Sequence, residues 1–272
     1  MMVIKNLLQT TPSEIYGAFT LAFKNYVVPI EFQEASTYRR WEEAGVDFAF
    51  SYGAFDGDQL VAFILQVPNG RILHNFGTGV IPSHRGRHLI EKIYERIIRE
   101  SSDSFNSFTL EVIKENTKAL NLYLKLGFKI KRELVCFKGN LFLEEEIDPD
   151  VAYEIHPLSE VDSLPGFNTY PPATENSLTI LKKNPQLHEL HLLKRKDDIL
   201  AWAYYSPSSL TLRDMGATEP SGKNLEQLLY LMKLQSEAMR VMNIESASPL
   251  IPFFEARGLV NFVTQYEMSR KI

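Results

Sequence analysis

Val80-Ile81-Pro82-Ser83-His84-Arg85-Gly86-Arg87-His88-Leu89 is the stretch on which the reading of this chain turns. After it, Leu89, Ile90, Ile93, Tyr94, Ile97 and Ile98 form one apolar stripe, with Glu91, Lys92, Glu95, Arg96 and Arg99 facing away, which predicts a helix. A helix start offers unpaired N–H groups and the positive end of the helix dipole. Gly86 would let that backbone approach an anion with no Cβ in the way. Strand, glycine turn and helix in this order predict a phosphate-binding turn. A second segment follows: Leu110-Glu111-Val112, then Asn116, Ala119, Leu122-Tyr123 and Leu126-Gly127-Phe128. It reads as a strand and a short helix that Gly127 ends. Asn116 has the chemistry of a helix cap. Tyr123 lies two turns later on the same face. A phenol of ordinary pKa near 10 is protonated at neutral pH and can donate to a developing negative charge.

Outward from this stretch, the opening third reads as helices and then a hairpin. Ser13 is a candidate cap for a helix carrying Ile15, Phe19 and Phe23, and Tyr26 to Phe32 is a connector broken by Pro29. A second helix is expected near Phe32 to Ala44. Asp47 to Phe55 and Leu60 to Val67 read as paired strands around Asp56-Gly57-Asp58. Arg71 to Ile81 is a strand whose Gly77 and Gly79 predict a bulge or a close approach. Phe108 to Ile113 and Phe128 to Phe137 are further strands.

The acidic run Glu144-Glu145-Glu146-Ile147-Asp148-Pro149-Asp150 reads as a linker, and the order of elements then repeats. His188 to Lys194, Ile199 to Tyr205 and Leu210 to Gly216 are strands. Leu225, Leu228, Leu229, Met232 and Met239 stripe a long helix. Val241 to Glu245 is a strand, Pro252 to Arg257 a helix, and Phe262 to Met268 the last strand. This repetition predicts a degenerate duplication.

The 272 residues suit two domains of modest size. With 44% hydrophobic and 23% charged residues, the composition is that of a globular protein rather than a disordered one. The net charge is −5 with no Lys/Arg block, which argues against nucleic acid or an anionic membrane as the main partner. The single Cys136 excludes an intrachain disulfide and a Cys-based zinc cage, and fits a cytoplasmic protein. The six histidines show no His-x-x-x-His spacing, so no metal is expected. Neither a signal peptide nor an apolar run of the roughly 18 residues a membrane span needs is read.

The two segments together resemble the GCN5-related N-acetyltransferase (GNAT) family. The resemblance implies an α/β fold with a twisted mixed sheet in each of two consecutive acyl-CoA N-acyltransferase-like domains. Residues 1–145 would carry an acetyl-CoA site, and residues 146–272 would be degenerate. By resemblance, the amides of Arg85, Gly86, Arg87, His88 and Leu89 hold the cofactor pyrophosphate. Val80 and Ile81 pair with the pantetheine arm, and one N–H there polarises the thioester carbonyl. Asn116 bonds the cofactor, and Tyr123 protonates the departing thiolate. The family favours Gln or Arg where Ser83 stands, and Gly or Ala where His88 stands.

Glu111 and His74 are candidate bases. Tyr16, Tyr26, Glu31 and Phe32 are loose candidates for an acceptor pocket. In the second half, Phe253-Phe254-Glu255-Ala256-Arg257-Gly258-Leu259 echoes the Tyr123 segment, with Phe254 in place of the tyrosine. Thr218-Glu219-Pro220-Ser221-Gly222-Lys223-Asn224 stands where the cofactor turn would be, without Arg-Gly and with an acid. The expected function is acetyl transfer from acetyl-CoA to a primary amine of a small molecule, by direct attack in a ternary complex. A non-catalytic acyl-CoA sensor and a protein-lysine acetyltransferase remain open.

Overall fold

The structure, a computed structural model, describes residues 2–24, 32–144, 147–161, 163–168, 170–219, 222–233 and 238–272. Tyr26 and Glu31, part of the acidic linker, and Pro220 and Ser221 lie outside the described residues. Packing divides the chain into two units, Met1–Lys131 with Glu267–Ile272, and Arg132–Tyr266.

In the first unit the strands β1 (Met2–Asn6), β2 (Tyr52–Asp56), β3 (Gln59–Asn69), β4 (Ile72–Val80) and β5 (Ser107–Ile113) lie in chain order. All neighbours are antiparallel except β4 and β5, which are parallel. The helices are α1 (Pro12–Phe23), α2 (Glu34–Ala44), α3 (Leu89–Ser101) and α4 (Thr117–Lys125). β1, which the sequence reading lacks, pairs with β2 from Met2 opposite Asp56 to Asn6 opposite Tyr52.

Thr11, not Ser13, caps α1. The Glu14 N–H donates to Thr11 Oγ1 at 3.3 Å, and the Thr11 N–H donates to the Glu14 carboxylate at 2.8 Å. Pro12 takes the first helical position, where its missing N–H is no loss, and the reciprocal pair fixes the start two residues earlier. α1 packs on β3 and β4, and α3 on β2 and β3. Leu89, Ile90, Ile93, Tyr94 and Ile97 are all buried, as their stripe predicts. Gly79 marks close packing: a Cβ there would lie 2.5 Å from the Phe63 ring and 2.8 Å from Ala22 Cβ.

The strand β6 (Lys129–Gly139) carries the chain into the second unit. There follow β7 (Ala152–Pro157), α5 (Leu178–Leu181), β8 (Glu189–Arg195), β9 (Asp198–Ser206), β10 (Thr211–Ala217), α6 (Lys223–Leu231), β11 (Met239–Glu245), α7 (Leu250–Ala256) and β12 (Val260–Lys271). The sheet of this unit runs β6-β11-β10-β9-β8-β7. The sequence reading lacks β7 as well. The helix expected to reach Met239 ends at Leu231. Lys233 takes the left-handed conformation at φ 57°, which breaks a helix, and Met239 opens a strand.

The order β2-β3-β4-α3-β5-α4-β6 recurs as β8-β9-β10-α6-β11-α7-β12. The duplication extends to an irregularity. Phe76 is an extra residue in β4 between the pairs Gln66–Asn75 and Leu65–Gly77, and Arg213 is one in β10 between Leu212–Tyr205 and Asp214–Tyr204. The sequence reading places the domain boundary between residues 145 and 146. Packing divides the chain earlier, because β6 pairs with β11 from Leu134 to Gly139. It also returns Glu267–Ile272 to the first unit, where β12 neighbours β5 and the Ile272 N–H donates to the Asn106 carbonyl at 3.0 Å.

Candidate active site

The bulge at Phe76 re-aims β4. Among the described residues, β4 and β5 pair only over Ile72–Asn75 and Ser107–Leu110, and beyond that the strands part. The parting leaves backbone donors and acceptors on β4 with no neighbouring strand. Ile81 donates to the Val61 carbonyl at 3.0 Å. In an antiparallel ladder the bonding direction alternates, so Val80, one residue earlier, directs its N–H away from β3 and towards the opening. The Ile81 amide is therefore engaged within the sheet, and Val80 is the free one of the two.

The turn after β4 is held by its own side chains. His84 stands 2.9 Å from Ser83 Oγ and 3.2 Å from the Asp56 carboxylate. Arg85 Nε donates to the Val80 carbonyl at 3.2 Å, and its Nη2 donates to the Ala22 carbonyl at 3.0 Å. Arg85 thus ties the turn to β4 and α1. Gly86 takes φ 75°, and a Cβ there would meet nothing within 4 Å. His88 takes φ 55°, and its exposed ring bonds Glu91 of the first turn of α3 at 2.8 Å. Arg87 is exposed, and Leu89, the first residue of α3, is buried. The backbone at Gly86, just before the N-terminus of α3, is thus left with open space around it.

Asn116 caps α4, its Oδ1 accepting the Ala119 N–H at 3.2 Å. Two turns on, Tyr123 is buried against Phe128 at a ring distance of 5.7 Å. Its hydroxyl lies 3.5 Å from Asn75 Nδ2. Asn75 is the last β4 residue paired with β5, so the phenol sits where the strands part. Asn75 Nδ2 also donates to the Tyr94 hydroxyl at 2.7 Å and to Thr78 Oγ1 at 2.8 Å. Burial pushes the Tyr94 phenol well above its usual range, and the Tyr123 side chain pushes the same way. The Asn75 bond and the Arg270 charge oppose them. Tyr94 therefore stays protonated. Sequence reading misses Asn75, Tyr94 and Arg270.

The base candidates also meet. His74 lies 3.0 Å from Thr109 Oγ1 through Nδ1 and 3.0 Å from Glu111 Oε2 through Nε2, fully buried. Of the acceptor-pocket candidates, Tyr16 packs edge-on to Tyr38 at 6.0 Å and Phe32 edge-on to Phe19 at 6.3 Å. Phe19 in turn contacts Trp41 and Phe63, so Phe32 belongs to an aromatic cluster under the sheet.

The second unit offers a contrast. Gly222 precedes α6, but a Cβ there would lie 2.8 Å from Glu219 Cβ and Oε2. The chain's own carboxylate fills the place that is open at Gly86. Phe254, opposite Tyr123 in the repeat, is fully buried and has no hydroxyl.

Residues 14–128 match the family described as Acetyltransferase (GNAT) family. No curated relative matches the chain by sequence. Among solved structures, the chain is similar to a tandem GNAT protein from the clavulanic acid biosynthesis pathway, with a TM-score of 0.71 at 10% identity, covering 100% of this chain and 98% of that one. A Pyrococcus horikoshii protein also gives a TM-score of 0.71 at 12% identity, covering 100% and 89%. A GCN5-related N-acetyltransferase from Sphaerobacter thermophilus gives 0.65 at 13% identity, covering 99% and 95%. Residues 14–128 thus match the GNAT family, and the whole chain shares the fold of tandem GNAT proteins.

Proposed function

We propose that the first domain transfers an acetyl group from acetyl-CoA to a primary amine of a small molecule, and that the second domain has lost cofactor binding. The observation that carries the reading is the open turn at Gly86 beside the parting of β4 and β5, with the Tyr123 hydroxyl at that parting. The residues fit the cofactor. The amides from Gly86 to Leu89 would receive the pyrophosphate at the helix N-terminus. Val80 would receive the pantetheine arm like an added strand, its N–H directed at the thioester carbonyl. Asn116 would contribute Nδ2, which has no protein partner among the described residues while Oδ1 caps α4. When bound, the cofactor supplies an activated acyl group and a thiolate leaving group.

Tyr123 holds the proton that the leaving group takes up. The phenol oxygen lies beside the Asn75 amide, and the burial of Tyr123 limits competing water. The amine must lose a proton before or during attack. Glu111, paired with His74, is the proposed first acceptor of that proton, since both stand beside the same parting. No helix among the described residues is long and apolar enough to cross a membrane. The chain's single cysteine, the buried Cys136, supports the cytoplasm as the proposed compartment.

Calorimetry with acetyl-CoA tests the reading. The wild-type chain should bind, and Gly86→Glu should abolish binding, because it puts a Cβ at φ 75° and a negative charge where phosphate belongs. Release of free CoA with at least one member of an amine panel should follow. Absence of binding at millimolar acetyl-CoA would overturn the proposal.

A further inference from the structure

The second unit keeps the bulge and the parted strands of the first although it has lost the turn. β10 and β11 pair in parallel only at Thr211–Arg240 and Leu212–Val241 among the described residues. Past that point the strands open into a solvent-open cleft, lined among others by Asp214, Met215 and Met242 from the strands and by Pro171, Pro172 and Asn176 from the segment before α5. Every residue of this lining lies in the second unit. Arg132 fixes the proline wall, its guanidinium donating to the Pro171 and Pro172 carbonyls at 2.6 and 3.2 Å.

Two oxygens in this lining lack donors. Asp214 Oδ1 accepts the Met215 N–H at 2.9 Å and Asn168 Nδ2 at 3.2 Å, and Oδ2 accepts from no described residue. Asn176 is 2% exposed; its Nδ2 donates to the Met242 carbonyl at 2.7 Å, which fixes the amide, and its Oδ1 is buried without a partner. A buried acceptor without a donor is costly. The cation in the lining is engaged elsewhere: Arg213 Nε donates to Ser206 Oγ at 2.9 Å, beside His188. Glu245 pairs with Arg132 at 3.5 Å.

We infer that this cleft binds a primary ammonium group on a small apolar body, with Asp214 Oδ2 and Asn176 Oδ1 as its acceptors and Met215, Met242 and the two prolines around the apolar part. An ammonium has three donors and no acceptor, which matches a pair of donor-starved oxygens. An anion would be repelled by the Asp214 carboxylate, and a neutral alcohol would leave that carboxylate uncompensated. Burial pushes the Asp214 carboxyl up to about 7, the response of an enclosed acid without a facing cation. A bound ammonium would return it to the charged form. Binding in this cleft is independent of acyl transfer and needs no cofactor.

The test is titration of the full chain, without acetyl-CoA, with n-butylammonium and with n-butanol, followed by calorimetry and by backbone amide shifts. Butylammonium should bind saturably and shift the amides of Met215 and Asn176. Butanol should not. Asp214→Asn keeps an oxygen for the Met215 and Asn168 donors, and should weaken butylammonium at least about tenfold, the size of a charge-assisted hydrogen bond. Asn176→Leu, which removes the orphaned oxygen, should weaken it as well. No saturable binding, equal binding of butanol, or shifts confined to the first unit would overturn the inference. The wild-type shift map separates these outcomes even if a variant fails to fold.

Discussion

Tyr123 and Asn75 define the chemistry at the scale of single residues. The phenol is packed against Phe128 with its oxygen beside the Asn75 amide, so removing the oxygen alone leaves the packing intact. Tyr123→Phe should lower kcat about 10²–10⁴-fold, the range of a lost general acid. Acetyl-CoA affinity should be nearly unchanged, because the hydroxyl acts on a charge that develops only in the transition state. Steady-state kinetics with calorimetry on the same variant separate these effects, and unchanged turnover would remove Tyr123 from the role. Tyr123 is legible in the sequence because its spacing from Asn116 and Gly127 is local. Asn75 and Tyr94 are not. Tyr94 sits in an apolar stripe where an aromatic is ordinarily core, and its partner comes from a different strand. The same limit hides Asp214, whose donors and burial depend on the fold of the second unit.

The turn and the helix after it act as one element. Its side chains hold its shape, while its backbone faces the anion site. His88 occupies a left-handed position at φ 55°, a conformation that costs an L-residue roughly 1–2 kcal/mol relative to its preferred regions and costs glycine almost nothing. Against this stands an exposed His88–Glu91 pair, worth about 0–1 kcal/mol. His88→Gly should therefore raise stability, by about 1 kcal/mol at most, and should preserve or tighten acetyl-CoA binding. Thermal melts and calorimetry check both. A fall in stability would mean that the Glu91 pair outweighs the strain. Elements with strong periodicity, such as α3 and the hairpin β2–β3, are legible from sequence. The edge strands β1 and β7 are not, because short half-exposed strands carry little pattern. The start of α1 hangs on a cap choice between Thr11 and Ser13 that only the reciprocal Glu14 bonds decide.

At the scale of the molecule, the repeated element order is legible, since each half carries its own strand–turn–helix sequence. The division of the chain is not, because sequence order says nothing about which strand closes which sheet. Glu267–Ile272, the last residues of the second repeat, pack within the first unit. There Met268 is fully buried, Ile272 bonds Asn106, and the Arg270 charge acts on Tyr94. Burying one methionine side chain contributes about 1.5–3 kcal/mol, and the strand pairing beside β5 adds to it. For a domain whose whole stability is of the order of 5–15 kcal/mol, that is a large share. Deleting residues 267–272 should therefore loosen the first unit more than the second, although the deleted residues follow the second in sequence. Hydrogen exchange should show lost protection in β4, β5 and α3 while β8 to β10 keep theirs, and acetyl-CoA binding should weaken with it. Uniform loss of protection across both units would mean that the two unfold together. Unchanged protection in β5 would mean that its sheet closes without the C-terminal strand.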